Sequence, residues 1–277
     1  MAIALSSHGI EGPYVEPYYG PDAIDQVNYK LAEIESKHDR ILLTFSQLRL
    51  KSEEAREFSQ HGFMRRLGTL RRAIRNVFNL IPLDQVQVPD RPTLQDAQIN
   101  IQAFFANVYG SIDNLAWIWI HERGVVVRRN RVGLRSHNIE VRSTFSVDFQ
   151  AYLKSLDDWI EYIIEYRDAL AHRIPVYIPP GGVPEANIPA CNDLGRQMTE
   201  ALYVREDGFL YERLAAKQEK LLVWQPLISH SVKETTNPYR FHIQMLADFI
   251  TVEEIAYKVL EELMALRRCP TSDEDCR

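Results

Sequence analysis

Cysteine is scarce in this chain of 277 residues: Cys191, Cys269 and Cys276 are the three present, and no CxxC pair occurs. An odd count without paired spacing argues against a disulfide framework or a thiolate zinc site, and it fits a reducing, cytoplasmic setting. Long apolar runs are also missing. No stretch approaches the roughly 18 apolar residues of a membrane span, and the start MAIALSSHGIEGPY lacks the basic lead and apolar length of a signal peptide. A positive surplus is absent as well. Lys and Arg number 32 against 38 Asp and Glu, a net charge of −6, so there is no global footprint of a duplex binder. Lysine is rare, 8 against 24 arginines, and arginine is the side chain that grips phosphate with two parallel donors. Contact with nucleic acid therefore has to come from local arginine patches.

The familiar chemistry-bearing motifs are lacking too. There is no GxxxxGK[ST], no GxGxxG between a strand and a helix, and no GxSxG. HERGV at His121 begins like a zinc-protease motif but has no second histidine, and the 8 histidines are scattered. The residues call for neither a metal nor a cofactor. The adjacent carboxylates Asp157 and Asp158 point about 100° apart on a helix, which fits a solvated pair better than a catalytic one.

What is present is helical periodicity. Asp22 is placed to cap a long helix that runs through residues 23–48 and continues, interrupted near Gly62, to about Leu80. In its last part Leu67, Leu70, Ile74, Val77 and Ile81 recur at helical spacing, with Arg65, Arg66 and Arg72 on other faces. After a proline connector, Thr93 opens the clearest helix, with the stripe Ile101, Phe104, Phe105, Val108, Ile112, Leu115 and Trp119. Periodicity fails from Gly124 to about Phe145. It resumes with Phe149, Leu153, Leu156, Ile160, Ile163 and Leu170, then stops at IPVYIPPGGVPEANIP, which holds five prolines. A shorter helix is expected over 208–222 and a strong one after Pro238, with Phe241, Met245, Phe249, Ile255, Val259 and Leu263 inward. Little alternates with period two. The expected class is all-α, an antiparallel helical bundle with long loops.

One constellation stands out. The second aromatic helix ends in YRDALAH, where Arg167 precedes His172 by five positions. The spacing occurs once more, in REFSQH (Arg56 and His61), within a polar stretch that reads as exposed helix surface. Arg167 instead ends an apolar aromatic helix, and a buried arginine needs a partner. Asp168, Asp113 on the first aromatic helix, or a bound phosphate could supply one. An uninterrupted helix sets side chains five positions apart at about 140°. The pair can therefore meet at one phosphate only if the helix end unwinds near His172 or if two copies face each other.

YRDALAHRIPVYIPP, preceded by FFANVYGSIDNLAWIWI, resembles the HEPN superfamily of helical bundles, whose signature is Arg, four to six residues, then His, often with a polar residue such as Asp after the Arg. Asp168 meets that preference. The resemblance covers residues 93–267. It implies an all-α HEPN-like homodimer with facing motifs, acting as a metal-independent endoribonuclease of the toxin or antiviral-defence type, with RNA as substrate. An antitoxin or regulatory protein would then be a partner. By the same resemblance Arg167 would hold the scissile phosphate and His172 would transfer a proton. Other members only bind RNA or protein partners. Ile174 stands where some toxin members carry tyrosine, so regulation through that tyrosine is not expected.

Supporting positions are Asp168, Asp113 and Asn114, although for the last two an interhelical hydrogen bond is the plainer reading. Between the two aromatic helices, Arg123, Arg128, Arg129, Arg131, Arg135 and Arg142 put six arginines in twenty residues against one Glu. Arg128, Arg129, Arg131 and Arg135 form an expected RNA track, with a solvated basic loop as the plainer alternative. The chain divides into an irregular start (1–21), an N-terminal helical extension (22–90), the HEPN-like bundle (91–268) and an acidic tail (269–277).

Overall fold

The computed structural model describes residues 16–179, 181–230 and 238–268. The acidic tail, with Cys269 and Cys276, and most of the irregular start lie outside the described residues. The described chain is an all-α bundle. Helix α1 (Pro21–Ser46) leads to α2 (Glu53–Glu57), a π-helical segment (Phe58–Phe63) and α3 (Met64–Leu80), which continue one another. Then follow α4 (Arg91–Arg123), a short α5 (Ile139–Arg142), α6 (Val147–Ser155) and α7 (Asp157–His172). A hairpin of α8 (Ile188–Tyr203) and α9 (Gly208–Glu219) precedes the closing helix α10 (Phe241–Arg268). Two antiparallel two-residue strands, β1 (Leu227–Ile228) and β2 (Tyr239–Arg240), pair just before α10.

Local chemistry sets the boundaries. Gly20, not Asp22, is the residue before α1; Pro21 opens the helix, and Asp22 sits in its first turn, where the dipole favours an acid. Asp90, not Thr93, caps α4: its carboxylate accepts from the Thr93 N–H at 2.8 Å. Gly124, at φ 71°, ends the same helix in the left-handed conformation that glycine adopts freely. The expected long helix breaks at residues 47–52, where Ser52 caps α2, and the interruption near Gly62 is the π-helical segment. Residues 147–172 form two helices that meet at Leu156. Helix α8 starts on the last residues of the proline-rich stretch and runs on where the sequence pattern predicts no helix; Pro189 falls in its first turn, where a missing N–H costs nothing.

Helix α4 is the axis of the bundle, packed by α3, α10, α7 and α2. All seven stripe residues from Ile101 to Trp119 are buried. They share one core with Phe45 and Ile41 of α1, Phe63, and Met245 and Phe249 of α10, so residues 22–90 contribute to the same core as the rest. At about 1.5–3 kcal/mol per large apolar side chain, that core dominates stability. Asp157 is no free carboxylate: Arg142 donates to it at 2.6 Å and to the Leu134 carbonyl as well, tying the arginine loop to α7.

Candidate functional site

Arg167 lies on the face of α7 that meets α4. Its guanidinium donates to Asp168 at 2.7 Å and sits 5.1 Å over the Tyr109 ring, a cation–π contact. One turn further along α4, Asp113 is mostly buried beside the Tyr109 hydroxyl. Burial pushes its carboxyl up to about 6, against the opposing pull of that hydroxyl and of Arg167, Arg66 and Arg135. Asp113 therefore changes charge near neutral pH within reach of three arginines. Arg135 adds to this cluster from the loop. Its Nε is buried without a partner among the described residues, and Nη2 lies 3.8 Å from Glu161. Arg167, Asp168 and Asp113 thus lie together, and Arg135, expected on the RNA track, joins them instead.

His172 does not join them. Helix α7 stays helical through His172, which is exposed at the last position, and the backbone N–H of Arg173 still bonds to Ala169. The helix does not unwind there, so the 140° offset stands. Asn114 also faces elsewhere: its Oδ1 accepts from Arg66 Nε at 3.0 Å, an interhelical bond from α4 to α3. In the loop Arg128, Arg129 and Arg131 are exposed and carry no ion pair among the described residues, whereas Arg142 is tied down structurally. The six arginines therefore differ: Arg128, Arg129 and Arg131 are open to solvent, Arg123 is exposed but lies over the Trp119 ring, and Arg142 is anchored.

The apolar faces of the aromatic helices are covered within the chain, so they do not themselves call for a second copy. The stripes of α4, α6 and α7 are covered by neighbouring helices, leaving Ile99 and Val147 as the large apolar side chains exposed there.

Sequence reasoning passed over a second polar feature. A cleft of about 420 Å³ opens between the π-helical segment, α3 and α4, lined by Phe58, His61, Arg65, Arg66, Asn107 and Asn114 among others. Its histidine belongs to REFSQH. Arg56 of that pair is held by the Leu50 and Lys51 carbonyls at 2.9 and 3.1 Å, so the cleft does not use it. The available signal was the adjacency of Arg65 and Arg66 to a glycine and a histidine; their convergence depends on the π turn, which no helical period shows.

Comparisons with family models, curated proteins and solved structures found no match for the chain. Among the described residues, no helix is long and apolar enough to cross a membrane.

Proposed function

We propose that the chain is a HEPN-like, metal-independent endoribonuclease whose reaction centre is completed by a second copy. The observation that carries this reading is the course of α7. An unbroken helix turns Arg167 towards Tyr109 and Asp113 and leaves His172 on the open surface at its end, so a single copy does not aim both at one phosphate. A two-fold dimer that stacks the ends of two α7 helices brings the arginine of one copy to the histidine of the other. In the reaction His172 takes the proton of a ribose 2′-OH. The freed oxygen attacks the neighbouring phosphorus, the bond to the 5′ oxygen breaks, and that oxygen takes up a proton as the 2′,3′-cyclic phosphate forms. Arg167, oriented by Asp168 and Tyr109, stabilises the extra negative charge on the phosphorane. Arg128, Arg129 and Arg131 hold the strand on either side.

The test is complementation. Arg167→Ala and His172→Ala are each expected to abolish cleavage of single-stranded RNA in excess EDTA. Mixed in equal amounts and allowed to exchange subunits, they should recover about a quarter of wild-type activity, because half the dimers are mixed and each holds one intact site of two. Two inactive variants that stay inactive when mixed, despite demonstrated subunit exchange, would refute the composite site.

A second reading has one observation in its favour. The Asp168 carboxylate already neutralises Arg167 at 2.7 Å, as suits a module that binds RNA or a protein partner without cleaving. Salt-sensitive RNA affinity with no cleavage across varied sequences would decide for it.

A further inference from the structure

The cleft between the π-helical segment and α4 is built around Arg66. A Cβ at Gly110 would come within 2.3 Å of the Arg66 guanidinium carbon, and one at Gly62 within 2.9 Å of the Asn114 side chain. Bare backbone at both positions is what lets Arg66 lie flat across α4. There Nε donates to Asn114 Oδ1 at 3.0 Å and Nη1 to Asn107 Oδ1 at 3.1 Å, while Nη2 has no partner among the described residues. Two neutral amides fix the guanidinium without cancelling its charge, unlike the carboxylate beside Arg167. Asp113 also bears on it, and burial pushes that carboxyl up to about 6. Arg65 and His61 stand exposed at the rim, Arg65 without an ion pair among the described residues, and Glu57 is the acidic residue of the lining. A pre-oriented, uncancelled guanidinium with two further nitrogen donors is an anion site.

The cleft also has an aromatic lining residue, Phe58. Phe58 stacks on Trp117 with ring centroids 5.2 Å apart and planes within 7°, and His121 stacks against both at 5.5 and 5.4 Å. Trp117 and His121 of α4 thus hold the Phe58 ring as a rigid wall. The π-helical segment explains the juxtaposition: its wider turn, a form that recurs at functional sites, puts Phe58, His61 and Gly62 on the cleft side together. We propose that this cleft is a binding site for a free nucleoside monophosphate, the phosphate on Arg66, Arg65 and His61 and the base against Phe58. The volume lies within the usual span of about 300–1,000 Å³ for small-ligand sites, and base–aromatic stacking accommodates any of the four bases. The site adjoins the Arg167 cluster through Asp113 but does not depend on RNA cleavage.

Calorimetric titration of the full chain tests it, with each of the four nucleoside monophosphates, the parent nucleosides and inorganic phosphate as probes. At least one monophosphate should bind saturably, with its nucleoside and inorganic phosphate each at least tenfold weaker. Arg66→Gln should weaken the monophosphate tenfold or more, and Phe58→Ala should reduce it to the level of inorganic phosphate. Thr69→Glu, an exposed change in the lining, should also abolish binding, and it decides the matter if Arg66→Gln fails to fold. Absence of saturable binding at millimolar monophosphate overturns the proposal, as does wild-type affinity in folded Arg66→Gln or Thr69→Glu. An oligoribonucleotide that displaces the monophosphate at far lower concentration would overturn it differently, assigning the cleft to the RNA track.

Discussion

Asp248 shows how far a single residue can stand from its ordinary chemistry. It is fully buried between α7 and α10, where Trp159 Nε1 and Gln244 Nε2 donate to Oδ1 at 2.9 and 2.8 Å, and the Tyr162 hydroxyl lies 3.5 Å from Oδ2. Desolvation outweighs these donors and pushes its carboxyl up to about 7 from an ordinary 3.8. The sign of the consequence follows from proton counting. Below pH 3.8 both folded and unfolded chains hold the proton. Between 3.8 and 7 the folded chain alone keeps it, so stability falls as pH rises, and above 7 the penalty levels off at roughly 4 kcal/mol. Asn at this position keeps the Oδ1 acceptor and offers its amide to the Tyr162 hydroxyl, but it does not titrate. Asp248→Asn is therefore expected to gain stability on the parent steadily from pH 4 to 7 and to hold a constant lead above that. Urea unfolding of both proteins across this range measures the difference, which cancels every other titrating group. A difference independent of pH would mean that Asp248 ionises normally.

At the scale of elements, the apolar stripes were legible because helical burial repeats every three or four residues. The stripe of α4 is buried at each expected position, and α10 begins close to Pro238. What stayed hidden depends on contacts between distant segments or on backbone that departs from the helical period. Helix α8 hid behind Pro189 because a proline in the first turn reads as a breaker until the helix after it is seen. The cleft hid because a π turn changes side-chain register, and because Gly62 and Gly110 acquire meaning only when α3 lies on α4. Arg167, Asp168 and Asp113 were legible from a motif and a stripe, whereas the partition of the arginine loop was not. Two experiments read that partition. Replacing Arg128, Arg129 and Arg131 together with Ala should flatten the dependence of log RNA affinity on log salt by about 0.7 per lost contact, with turnover at saturating RNA nearly intact. Arg142→Ala should leave that slope unchanged but cost upwards of about 2 kcal/mol in denaturant unfolding, since it strands the Leu134 carbonyl and Asp157. Equal effects of the two variants on the salt slope would remove the distinction.

For the whole molecule, the bundle and the α8–α9 hairpin behave as separate layers of stability. The hairpin helices pack chiefly on each other, and their buried residues Cys191, Ala201 and Leu214 lie outside the core that runs from Tyr19 to Leu263. At the hairpin tip Tyr203, Val204 and Phe209 are exposed by 78%, 75% and 87%, so this end contributes little apolar burial. Its base is already closed: the Gly182 N–H bonds to the Val223 carbonyl at 2.9 Å, and the Val223 N–H returns to Gly182 at 2.8 Å. Trp224, just beyond this bridge, is buried in the core and stays with the bundle. A turn that replaces residues 184–221 can therefore join the two sides without moving either. Local stability follows burial and contact density, so the shortened chain should unfold cooperatively with a midpoint within about 4 °C of the parent, equivalent to roughly 1–2 kcal/mol for a chain of this size. On the proposed RNA reading it should bind RNA as the parent does, because Arg128, Arg129, Arg131 and Arg167 all precede the excision. Thermal unfolding followed by circular dichroism makes the measurement. A loss of cooperativity, or a drop well beyond that interval, would show that the hairpin props up the bundle.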